Sequence, residues 1–179
     1  ELFDTNPTRV PALAELPNTQ AAHMGQMTGD ARDVAAAEAA RTLPPRENGG
    51  NCDIKDLSRG SVCYFPVFVE GGGLSMGDTH FSQGDGEITF CGGIEMASWL
   101  HVKVSVIKDG IAKYKVKNPM FKPSPVTPNY DDYLIFEGIS VDVNNKQHYV
   151  DMTEAYRQAC LNAIDYMTMF GYTREQGLA

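Results

Sequence analysis

The stretch from Gly77 to Glu95, GDTHFSQGDGEITFCGGIE, brings Asp78, His80, Gln83, Asp85, Glu87 and Glu95 close together along the chain. Such residues are the ligand set of a hard cation, or an acid/base pair around a histidine. Gly77, Gly84, Gly86, Gly92 and Gly93 lie among them and allow sharp turns and close approach of backbone to a ligand. In an extended segment Asp78 and His80 point to one face. A turn at Gly84-Asp85-Gly86 would return Glu87 to them. One histidine with two carboxylates suits zinc or another divalent cation and leaves a position for water. The D-x-D-x-D-G spacing of an EF-hand is absent. Upstream, ENGGNCD supplies Glu47, Asn48, Asn51 and Asp53, whose asparagines can orient a carbonyl or an amide. Plainer roles compete: Asp78 and Asp85 capping turns, Asn48-Gly49 as a simple turn, Glu95 as one half of a structural ion pair. Cys91 is a nucleophile if Glu87, Glu95 or Lys103 assists it, and otherwise a small buried thiol.

These side chains need a scaffold. Between the two polar loops runs VCYFPVFV, residues 62–69, which reads as a buried strand. Gly71 to Gly73 then reverse the chain in a hairpin-like turn. No Gly-Lys-Ser/Thr follows, so this is no phosphate loop. Two polar loops flanking one strand point to a single site. Residues 1–29 carry Pro7, Pro11 and Pro17 and read as an extended arm. Asp30 to Arg41 reads as a helix capped by Asp30 and stopped by Pro44-Pro45. Residues 87–91 form a short strand. Val102, Val104 and Val106 alternate with polar neighbours as one strand, and Asp109-Gly110 turns into a second over 111–117. The prolines of 119–128 indicate an ordered loop or an excursion to a neighbour; 133–142 is a strand pair or a strand bent at Gly138, and Asn144-Asn145 a turn. Residues 151–170 form the longest helix. Asp151 and Glu154 resemble a capping box, Gly171 closes the end, and Tyr156, Cys160, Ala163, Met167 and Phe170 make the apolar stripe. Trp99 belongs to the core. His23, His101 and His148 are solvated or hydrogen-bonded. The fold class is α+β and β-rich: an antiparallel, sandwich-like sheet with one long C-terminal helix and one short Ala-rich helix.

Apolar residues make up 42% of the chain and charged residues 21%, enough for a core. A net charge of −8 argues against nucleic acid as partner. No apolar run approaches the ~20 residues of a membrane span. The four cysteines, Cys52, Cys63, Cys91 and Cys160, lack C-x-x-C spacing and read as reduced thiols of a cytoplasmic protein. The first residues have no signal-peptide pattern and no initiator Met, so the chain is expected to begin mid-protein.

With PPRENGGNCDIKDLSRGS before it, and YLIFEGISVD, KQHYVD and AYRQACLNAIDY after it, GDTHFSQGDGEITFCGGIEMA resembles the formamidase/acetamidase family. The likeness runs from about Arg41 to Gln176 and is nearest the longer formamidase branch. It implies an amidohydrolase that converts formamide or a similar short amide to the acid and ammonia, unlike the cysteine-dependent nitrilase-type amidases. It also implies a β-rich fold, oligomers and a bound divalent metal, zinc first and calcium as the other candidate. The matching positions are Glu47, Asn48, Gly49, Gly50, Asn51, Asp53, Asp78, His80, Gln83, Asp85, Glu87 and Glu95. On chemical grounds His80, Asp53 and Glu87 are expected to hold the metal. Glu95 or Asp85 would shuttle the proton to ammonia, and Asn48 or Asn51 would orient the amide. The rivals are a thiol amidase using Cys91 and a non-catalytic module that binds metal or amide. Family chains are longer, so residues 30–179 are expected to be part of a catalytic domain. Its partners would be a small amide, further copies, and the remainder of the same polypeptide.

Overall fold

A computed structural model describes residues 14–20, 22–84, 93–125 and 134–178. The fold is α+β. Helix α1 (Gly29–Glu38) precedes strands β1 (Val62–Tyr64), β2 (His80–Ser82) and β3 (Ile94–Glu95). Helix α2 (Gly110–Tyr114), strands β4 (Met120–Lys122) and β5 (Ile135–Phe136), and helices α3 (Met152–Met167) and α4 (Arg174–Leu178) follow. One antiparallel sheet has the order β1-β4-β5, and a second pairs β2 with β3.

The core sits where the β1-β4-β5 sheet meets α3, which packs against β5. Met120 and Phe121 are buried on the central strand, with Val116, Ile139, Val141, Leu161 and Ile164 around them. Phe121 faces Cys63 on one side and Ile135 on the other. Prolines 119 and 123 bracket β4. A proline offers no N–H to a ladder, so they hold the strand to three residues. Helix α3 starts where Asp151 accepts a hydrogen bond from the Glu154 amide at 3.0 Å. It ends through a 3-10 turn (Thr168–Phe170) at Gly171, whose φ of 89° is left-handed. Tyr166 anchors the helix to the sheet, its ring 5.3 Å from Phe136 and 5.5 Å from Phe170. Close approach is possible because residue 138 is glycine: a Cβ there would overlap the Ala155 carbonyl of α3. Buried Asn162 accepts from the Lys117 amide and donates to the Gln158 carbonyl, which ties α3 to the chain entering β4.

Several local expectations are corrected. The strand expected over 62–69 pairs only at Val62–Tyr64, because β4 is short and Pro66 interrupts the run; Phe65, Val67 and Val69 are exposed. The stretch 101–107 forms no strand, and 111–117 is helical at its start, because Asp109 adopts a left-handed φ of 57° and opens α2. The proline-rich stretch from 119 contains the central strand β4. Helix α1 begins at Gly29 after Thr28, so Asp30 lies in its first turn instead of capping it. The buried face of α3 is Leu161, Asn162 and Ile164; Tyr156 and Phe170 are exposed. Trp99 is 93% exposed and is no core residue. The strand expected over 87–91 lies outside the described residues. Among the described residues no helix is long and apolar enough to cross a membrane.

Candidate functional site

The first loop is a tight turn. Arg46 and Gly49 exchange both backbone hydrogen bonds, 3.0 and 2.9 Å, which leaves Glu47 and Asn48 at its tip. Gly49 has a φ of 117°, and a Cβ there would press on the Phe65 ring at 3.1 Å. Gly50 has a φ of 97° and lies under the Thr42 carbonyl, so glycine is required at both positions. The Asn51 amide N–H donates to that same carbonyl at 2.9 Å, and the Asn51 side chain donates to the Asp53 carboxylate. Asp53 is thereby aimed by its neighbour. Asn48 is exposed at the tip. Glu47 points inward, fully buried, with Arg46 Nε 3.3 Å from its carboxylate. A buried carboxylate held by a guanidinium is a structural ion pair, not a solvent-facing ligand.

The second loop delivers His80. Asp78 takes a left-handed φ of 55°, which Asp tolerates better than most residues. The chain then enters β2, where His80 stands directly opposite Glu95 of β3. Residues paired in this way share a face of the ribbon, which puts Glu95 on the face of His80, although its carboxylate is outside the group of donor atoms that gathers at the ring. Thr79 locks the ribbon, its hydroxyl donating to the Met96 carbonyl at 2.9 Å while its own carbonyl accepts from the Met96 amide at 3.0 Å. Gly93 forms the floor under the ring. A Cβ there would fall 2.5 Å from His80 Cδ2, so only glycine leaves the imidazole in place.

The two loops meet. Donor atoms of Asp53, Asp78 and His80 all lie within 4.8 Å of one another. A ligand sits ~2.0–2.6 Å from its cation, so atoms sharing one ion can be about 5 Å apart at most. Two carboxylates and one imidazole at this spacing fit a divalent cation of borderline hardness. His80 is half-buried and both aspartates are exposed, which leaves an open side for water or a small ligand. The expected third ligand, Glu87, and the expected proton shuttle Asp85 lie outside the described residues, as does Cys91.

One chemically active pair did not stand out in the sequence. Glu137, just after β5, is half-buried and accepts a hydrogen bond from the equally half-buried Cys52 thiol at 3.6 Å. Burial pushes its carboxyl up from the ordinary 4.5 to about 7, against the opposing effect of the thiol bond. Burial first, and then the charge of Glu137, pushes Cys52 up to about 12. Cys52 is therefore a thiol at neutral pH, a hydrogen-bond donor and no nucleophile. The available signal was a lone carboxylate inside the apolar run YLIFEGI. Elsewhere, His148 pairs with Asp142 at 2.9 Å, and His23 accepts from the Asn18 amide.

Comparison with known proteins supplies the context. The chain is 64% identical over its full length to a formamidase from Methylophilus methylotrophus. It is 53% identical over 98% of its length to an acetamidase from Mycolicibacterium smegmatis. It spans 44% of the length of each of these relatives. No solved structure matches it. The model of the Acetamidase/Formamidase family matches residues 1–179, and the chain belongs to that family.

Proposed function

We propose that this chain carries the reaction centre of an amidohydrolase that hydrolyses a short aliphatic amide, formamide first, to the carboxylic acid and ammonia. The reading is carried by the convergence of Asp53, Asp78 and His80 on one point, with Glu95 on the strand facing His80. The names of the two relatives, a formamidase and an acetamidase, support the substrate class.

Asp53, Asp78 and His80 would hold a divalent cation, zinc first and calcium as the other candidate, with Glu87 as a further ligand. Bound there, a cation polarises a carbonyl and lowers the pKa of water toward ~7. The chain's own groups do the rest. Asn51 fixes the Asp53 carboxylate, and Gly93 and the β2–β3 ribbon fix the His80 ring. Exposed Asn48 is available to accept from the amide NH2 of the substrate. Glu95 takes the proton from the attacking water and gives it to the departing nitrogen, because an amine leaves poorly unless protonated; such acid/base help is worth roughly 10²–10⁴-fold. Asp85 is the alternative carrier of that proton.

The thiol route is the competing mechanism, and ammonia release from formamide separates the two. On the metal reading a chelator abolishes release and Cys91→Ser leaves it unchanged. Release that resists chelation and disappears in Cys91→Ser overturns the metal reading in favour of the thiol.

A further inference from the structure

The ribbon that carries His80 and Glu95 runs directly into residues 97–106, which are open to solvent. Among the described residues no backbone hydrogen bond joins this stretch to another segment. It is nevertheless built to be covered. Trp99 is 93% exposed, and Val102, Val104 and Val106 are 57%, 65% and 83% exposed. The valines recur with period two, with Lys103 and Ser105 between them, the pattern of a strand with one dry face. An open backbone edge joined to a large apolar face is a template for strand addition, and soluble proteins rarely leave one free.

The length of the relatives points to what covers it. The two relatives match nearly the whole of this chain yet have more than half of their own length beyond the match. We infer that residues 97–106 form a β-strand that pairs with an extended apolar segment of the polypeptide by which the family exceeds this chain. This strand would extend the β2–β3 ribbon and complete the wall beside His80 and Glu95. The occupant is a strand of that further polypeptide, in preference to a second copy of this chain or a foreign ligand. The inference stands apart from the amide-hydrolysis reading, because its test reads pairing and not turnover.

The part of the Methylophilus methylotrophus formamidase outside the matched region is co-expressed with this chain as a separate tagged polypeptide. Recovery of the chain on the tag is then measured, with amide hydrogen exchange over 97–106. The expected result is co-recovery, with exchange over 97–106 slowed at least about tenfold relative to the chain alone. Val104→Asp combined with Val106→Asp should abolish recovery, and Lys103→Asp combined with Ser105→Asp should preserve it. Should the separate piece prove insoluble, exchange of the corresponding segment is read in the intact formamidase. Fast exchange there overturns the inference, and slow exchange supports it. Protection of 97–106 in the chain alone, with dimers in solution, assigns the face to a second copy and also overturns it.

Discussion

Replacing Glu137 with Gln should flatten part of the pH dependence of stability. The carboxyl belongs to a half-buried residue and is hydrogen-bonded to Cys52, and its desolvation raises its pKa from 4.5 to about 7. A raised folded-state pKa means that the folded chain binds more protons than the unfolded chain between those values. Stability from this group is therefore fully present below pH ~4.5 and is lost as pH rises through ~7. Each pKa unit corresponds to about 1.4 kcal/mol, so the loss is on the order of 3 kcal/mol by pH 8. Glutamine keeps the shape and an acceptor for the thiol but cannot ionise. Urea unfolding at closely spaced pH values from 4.5 to 8 should show wild type losing about 3 kcal/mol more than Glu137→Gln across the range. Comparing the two proteins cancels every other titrating group. Below pH 9 Cys52 contributes nothing to the difference, because its pKa of about 12 keeps it protonated in the folded chain. Parallel curves for the two proteins would refute the reasoning and would mean that the Glu137 carboxylate is solvated or neutralised.

Two further substitutions test the scaffold. Gly138→Ala should destabilise the chain by about 3 kcal/mol or more in the same unfolding assay, because its methyl group would overlap the Ala155 carbonyl; a change below about 0.5 kcal/mol would show that α3 does not pack against Gly138 in this way. Gly93→Ala should displace the His80 ring and weaken divalent-metal binding roughly 10–100-fold at unchanged far-UV circular dichroism; unchanged affinity by titration calorimetry would mean that the ring position is not set by Gly93.

The helical part of this fold was legible because its signals are local. Asp151, Glu154 and Gly171 mark the ends of α3 through caps that need only neighbouring residues. The buried face of α3 was read one step away from Leu161 and Ile164, because Tyr156 and Phe170 are apolar wherever they lie. Strands fared worse because pairing is not local. The valines at 102, 104 and 106 record a face that needs covering, and no sequence pattern states where its cover is. In β4 the flanking prolines dominated the reading, although they only mark the ends of a central strand. Of the expected ligands, Asp53 and His80 lie together, Glu87 lies outside the described residues, and Asp78, which was not one of them, stands with the first two. Asp78 and His80 are two residues apart, and the glycine-rich turns that free the backbone also mark the loops that meet. Glu137 was hidden in an apolar run, and its significance depends on Cys52, far away in sequence.

The central claim is that Asp53, Asp78 and His80 form one cation site. Calorimetric titration of the metal-stripped chain with zinc, beside His80→Ala and Asp53→Asn, tests it most directly. The account predicts about one ion bound per wild-type chain, and at least about 100-fold weaker binding in each variant with secondary structure intact. Equal binding in wild type and both variants, or no binding by wild type, would contradict it.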